Sequence, residues 1–249
     1  MDILSIGNSF SQDAQRYLHG VAKASGEKIN CFNLFIGGCP LSRHYRNMLS
    51  GERAYSLEMN GVSTGFSVSL KEALLNRDWH LITLQQVSNK SPYYESYQPY
   101  LQALVDFVRE CVPKAKLAIH QTWGYENESR RLTEEVGYAS YGDMFKDIKA
   151  SYELAAKDSV ADYIIPSGEV LEKLIENGIR VHRDTFHLSL GIGRYAAALT
   201  WVKTLTGADV LENNFSDFDV PVPEAEAALA RRFANEIGGE YREKVILPF

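Results

Sequence analysis

The sequence predicts an α/β protein, a three-layer α/β/α sandwich on a five-stranded, mostly parallel sheet, and three observations carry that reading. Short apolar runs alternate along the chain with amphipathic stretches of 10–18 residues, the pattern of βαβ units. The runs are apolar almost throughout, as strands covered on both faces are. No Pro/Gly/Ser-rich linker or internal repeat interrupts them, so residues 1–249 read as one domain.

Each element follows from a local signal. Residues 3–6 are a short apolar run ending at Gly7, suited to a buried parallel strand. Residues 12–25 have helical spacing and stop at Gly26, a residue suited to the left-handed position after a helix. A second strand over 29–36 runs into Gly37-Gly38. Residues 55–59 and 66–69 flank Asn60-Gly61, which predicts a small hairpin insertion beside the main sheet. The third strand is 81–84. Leu101, Leu104, Val105 and Val108 then mark a helix, and 116–120 the fourth strand. A helix over 142–157, a short strand over 162–165 and a helix from Pro166 to near Gly178 repeat the alternation. Ile192, Tyr195, Ala196, Leu199 and Val202 form the stripe of a helix closed by Gly207. A last Ala- and Glu-rich helix, about 224–240, packs on the outside.

Composition narrows the function classes. The 26 basic and 32 acidic residues leave a formal net charge of −6, which argues against a nucleic-acid partner and against a strongly anionic substrate. The three cysteines, Cys31, Cys39 and Cys111, show no C-x-x-C spacing, so neither a disulfide framework nor a zinc ribbon is expected. Cys39 reads as a small residue packed in a tight turn. The histidines are scattered without metal-ligand spacing, and His182 reads as solvent-exposed; no metal and no cofactor are expected. No stretch approaches 18 consecutive apolar residues, so no membrane partner is expected. Met1-Asp2-Ile3-Leu4 lacks the basic and apolar regions of a signal peptide. The cytoplasm is the expected compartment, or the periplasm or exterior if a leader has been removed.

In a sheet of this kind ligands bind beyond the carboxyl ends of the strands. The residues there are Gly7-Asn8-Ser9-Phe10-Ser11, Gly37-Gly38-Cys39-Pro40, Gln85-Gln86-Val87-Ser88-Asn89 and Gln121-Thr122-Trp123, with Arg183 to Leu188 before the helix of the 190s. A serine hydroxyl needs a base to become a nucleophile, and an imidazole base needs a carboxylate to fix its tautomer. Ser9 stands at a strand-to-helix turn, where free N–H groups suit a developing oxyanion. Asp184 and His187, three apart on one loop, supply carboxylate and imidazole. Ser9 N–H, Gly38 N–H and an amide side chain from the third loop are the candidate oxyanion donors.

In order, Gly7-Asn8-Ser9-Phe10-Ser11, Gly38 and Asp184-Thr185-Phe186-His187 resemble blocks of the SGNH (GDSL-type) hydrolase superfamily, with Asn8 where the usual motif has Asp. The likeness spans positions 7 to 187 and is nearest to an uncharacterised bacterial branch with G-N-S-[FY]-[ST] and L-Q-x-x-S motifs. It implies a flavodoxin-like sheet and a Ser9, Asp184, His187 triad that cleaves an acyl ester through an acyl-enzyme. The third block departs from the superfamily's G-x-N-D. Gln85 resembles the Gln of carbohydrate acetylesterases and is the preferred third donor, with Asn89 in reserve.

Other readings compete at several positions. Ser9-Phe10-Ser11-Gln12 also fits a helix capping box, in which Ser9 merely starts the helix. Asp184 also fits a simple partner of Arg183. Pro92 to Tyr100 is tyrosine-rich, and Tyr93 and Tyr94 with Trp123 and Tyr125 suit either a rim that stacks on a sugar or a cover for the core. The favoured expectation is a serine esterase acting on acetyl or short acyl groups of a carbohydrate. Its rivals are a catalytically degenerate carbohydrate-binding protein of the same fold and a flavodoxin-like nucleotide or phosphate binder.

Overall fold

The computed structural model describes residues 1–127, 129–244 and 246. In chain order the strands are β1 (Asp2–Gly7), β2 (Asn30–Phe35), β3 (Tyr55–Met59), β4 (Val62–Val68), β5 (Leu81–Leu84), β6 (Lys116–His120) and β7 (Tyr163–Ile165). The helices are α1 (Ser9–Gln15), α2 (Leu18–Ala24), α3 (Leu41–Ser50), α4 (Leu70–Leu75), α5 (Tyr100–Cys111), α6 (Tyr141–Asp158), α7 (Ser167–Glu176), α8 (Ile192–Thr206) and α9 (Glu224–Glu243).

Among the described residues seven strands form one sheet, in the order β4-β3-β2-β1-β5-β6-β7. The five strands expected to be parallel are so, β1 lying between β2 and β5. The hairpin does not stand apart. β3 pairs antiparallel with β2, and the hairpin extends the sheet as an antiparallel edge.

Alternation along the central strands divides the core. Ile3 and Leu81 join a cluster with α1, α2, α7, α8 and α9, while Leu4, Ile6, Ile82 and Leu84 join a cluster with α3, α4, α5 and α6. The sheet is therefore covered on both faces, as its apolar strands require. From β1 the chain turns to β2 on one side, and on the other side of β1 lies β5. The crevice at this reversal of strand order is where such sheets bind ligands.

Three helices depart from the expectation. The helix expected over 12–25 begins at Ser9 and breaks at Arg16-Tyr17 into α1 and α2. Contacts from distant parts of the chain gather at the break: the Tyr17 hydroxyl donates to Leu190 O, and Arg16 Nη1 donates to Gly61 O at 3.2 Å. α3 was not expected because His44 and Asn47 are buried where the helical period calls for apolar side chains. α4 is short, although Ser69 and Glu72 form the capping box that announces it.

Candidate active site

The site is built around the start of α1. Asn8, not Ser9, is the N-cap: its Oδ1 accepts from Phe10 N–H at 3.0 Å, and its own N–H donates to Ser11 Oγ at 3.0 Å. That corrects the capping-box reading and leaves the Ser9 hydroxyl for other partners. Gly7 permits the tight start, because a Cβ there would lie 2.0 Å from Ser11 Oγ.

The Ser9 hydroxyl donates to His187 Nε2 at 2.9 Å, and His187 Nδ1–H donates to Asp184 Oδ2 at 2.8 Å. Asp184 Oδ1 accepts the Phe186 and His187 backbone N–H groups at 3.0 and 2.8 Å. Burial works to raise the Asp184 pKa, but these N–H groups and the His187 ring outweigh it and hold the carboxyl at about 2. Asp184 is thus committed to His187 and not to Arg183, whose Nη1 donates to both oxygens of Asp13 at 2.8 and 3.0 Å. The His187 ring rests on Phe186 at 3.9 Å between centroids and meets Phe10 edge-on at 6.0 Å.

This arrangement lies in an open cleft of about 530 Å³. Ser9 and His187 line it, with Gly38 on the β2 side and Asn89 on the β5 side. Neither Ser9 N–H nor Gly38 N–H has a hydrogen-bond acceptor among the described residues. Gly38 has φ +60°, in the region that favours glycine, which suits a loop presenting its N–H outward.

The two candidate amides are placed differently. Gln85 is buried behind the nucleophile turn. Its Nε2 donates to Asn8 Oδ1 at 2.9 Å, and its Oε1 accepts from His120 Nδ1–H at 2.6 Å. His120 Nε2 in turn accepts from Ser167 Oγ at 3.0 Å. Burial lowers the His120 pKa to about 3, so the ring is neutral and the chain of donors runs one way. Asn89, by contrast, is exposed on the cleft wall.

Among the four aromatic residues expected at a rim, only Tyr125 lines the cleft, its hydroxyl 2.9 Å from Ser88 Oγ. Trp123 is fully buried. It stacks on Phe10 at 4.2 Å and donates its indole N–H to Phe186 O at 2.7 Å, so it supports the loop of His187 from below. Tyr93 turns away to donate to Val136 O, and Tyr94 accepts from Gln98. His182, expected at the surface, is buried against Gly124 O at 3.1 Å. Cys39 is buried too. Its Sγ is 3.6 Å from His44 Nδ1, but burial pushes the thiol up to about 12 and the imidazole down to about 3, so the pair is neutral and unreactive.

Two features went unread in the sequence. Asp13, on α1, accepts from Arg183, from Arg194 Nε at 2.9 Å and from Leu188 N–H at 3.0 Å, bracketing the loop that carries Asp184 and His187. Arg131 and Glu135 reach the cleft from a π-helical turn, Arg131–Glu135. Helical spacing places neither contact, since each joins segments far apart in the chain.

Fold and crevice together define a class: this is the SGNH hydrolase fold, an α/β fold with a mixed central sheet between helices. A candidate SGNH hydrolase from Slackia heliotrinireducens shares it at TM-score 0.57 and 20% identity, over 82% of this chain and 97% of that one. Within that class, the chain belongs to the DUF4886 family, a domain of unknown function whose sequence profile matches residues 2–236. A DUF4886 family protein from Bacteroides uniformis is 34% identical over 98% of this chain and 96% of its own, with TM-score 0.89. A comparison with curated proteins finds no match. Among the described residues no helix is long and apolar enough to cross a membrane, and no group of three or more His, Cys, Asp or Glu is placed to hold a metal ion.

Proposed function

We propose that this protein is a serine esterase that removes acetyl or other short acyl groups from a carbohydrate. The observation that carries the reading is the unbroken chain from Ser9 Oγ through His187 to Asp184, at 2.9 and 2.8 Å, opening on a cleft at the carboxyl ends of the strands. In the first step Ser9 Oγ attacks the acyl carbon while its proton passes to His187 Nε2. The negative charge collects on the former carbonyl oxygen, facing Ser9 N–H, Gly38 N–H and the Asn89 amide. Collapse breaks the bond to the alcohol, and His187 returns the proton to the departing oxygen. Water then repeats the sequence on the acyl-enzyme, releasing the acid and restoring Ser9.

Asn89 replaces Gln85 as third donor in this proposal, because Gln85 is occupied with Asn8 and His120 behind the turn. Support for a sugar comes from Tyr125, which the sequence suggested, and from Phe35 and Phe186, which it did not; all three line the cleft. Hydrolysis of 4-nitrophenyl acetate by the wild type and by Ser9→Ala tests the chemistry. A loss of at least about 10⁴-fold in kcat is expected for the variant, and equal rates for the two proteins would overturn the reading.

A further inference from the structure

We propose that the alcohol part of the substrate carries a carboxylate, held by Arg131. This rests on the esterase reading and narrows its substrate to acyl esters of an acidic alcohol, such as a carboxylate-bearing sugar.

The first ground is position. The Arg131 guanidinium lies 4.2 Å above the centre of the Phe186 ring, and that ring lies 3.9 Å from the ring of His187. Arg131, Phe186 and His187 all line the Ser9 cleft. His187 hands its proton to the departing oxygen, so groups beside it neighbour the alcohol. Gly38 and Asn89 are left to hold the acyl oxygen.

The second ground is local charge. The charged residues lining the cleft are Arg131 and Arg183 against Glu135. Asp13 offsets Arg183, but it is shared with Arg194. The net charge of −6 describes the whole surface, whereas a ligand in the cleft meets these side chains within a Debye length of about 8–10 Å. With the ionised Asp184 behind His187 counted as well, the cleft has no excess of negative charge to repel an anion, and Arg131 is the cation such a ligand meets beside Phe186.

Third, the ion pair of Arg131 is weak. Among the described residues its ion partner is Glu135, one helical turn on, at 3.4 Å, with side chains 41% and 55% exposed. Such a contact is long and screened by water. A guanidinium laid on an aromatic face keeps its in-plane N–H groups for a carboxylate, which they match two to two. Arg131 also interacts with the Tyr125 hydroxyl, where the Ser88 hydrogen bond and then Arg131 oppose the upward push of burial.

A matched set of acetate esters tests this. The alcohol is anionic in 3- and 4-acetoxybenzoate and neutral in 3- and 4-acetoxybenzamide; phenyl hydrogen succinate puts the charge on the acyl side instead. The wild type is expected to cleave the better acetoxybenzoate with kcat/KM about tenfold above its amide, a preference that fades as salt is raised. Arg131→Gln should bring the kcat/KM ratio of acetoxybenzoate to amide down about tenfold, to near one, and Arg131→Lys should keep part of the preference. The inference is overturned if the wild type shows no preference, if the preference survives in Arg131→Gln, or if it attaches to the succinate. Should the wild type cleave none of these esters or 4-nitrophenyl acetate, the esterase reading itself fails and takes this one with it.

Discussion

At the level of single residues, identity was legible and orientation was not. Ser9, Gly38, Asp184 and His187 could be singled out as candidates because their chemistry is local, and so are the places of Ser9 and Gly38 after strands and the three-residue spacing of Asp184 and His187 on one loop. Gln85 and Asn89 are both amides on the loop after β5, and only the fold tells them apart: one faces back to Asn8, the other out to the cleft. Their variants should therefore fail in different ways. Asn89→Ala removes an oxyanion donor at an exposed position, and should cost about 10²–10³ in kcat while shifting stability by less than about 0.5 kcal/mol. Gln85→Ala strands the buried His120 Nδ1–H and takes one of two donors from Asn8 Oδ1, and should cost about 1–3 kcal/mol in urea unfolding. A stable Gln85→Ala beside a fully active Asn89→Ala would reverse the assignment.

Among the elements, the strands were read well because a buried parallel strand is a short apolar run whatever lies beside it. Helices were read less well where tertiary contacts override the period, as at Arg16-Tyr17, or where a polar side chain occupies a core position, as with His44 in α3. The clamp between α1 and the loop of His187 belongs to this scale. Asp13 is fully buried and holds Arg183, Arg194 and Leu188 N–H, so the helix that positions Ser9 also fixes the loop that positions its base. Asp13→Asn takes away the negative charge and leaves two arginines facing each other across a neutral amide. An unfolding cost of about 3 kcal/mol is expected. The surviving folded protein should show a lower kcat with little change in KM, because Asp13 is outside the cleft lining. A KM effect with kcat unchanged would place Asp13 in substrate binding instead.

Across the whole molecule, layer order and crevice followed from the alternation of strands and helices, but burial of polar groups did not, because it depends on which segments meet. The histidines are the clearest case. Burial holds His44 and His120 at about 3 and also lowers His182, whose burial is opposed by its bond to Gly124 O. In the unfolded chain each would titrate near the usual value of about 6.5. A folded pKa below the unfolded one means that the unfolded state binds the extra proton. Stability is therefore fully present above pH of about 6.5 and is lost as pH falls toward 3, by up to about 1.4 kcal/mol per pH unit for each histidine. Asp184 and Asp219, both held at about 2, act in the same direction only below the ordinary carboxylate range. Between pH 6 and 4.5 the histidines should thus dominate the loss. Urea midpoints should be level from pH 8 to 7 and fall through that window. His44→Phe, which keeps a ring to stack on Tyr55, should flatten the fall by close to one proton's share. An unchanged slope in that variant would mean that His44 is charged within the fold, contrary to its burial.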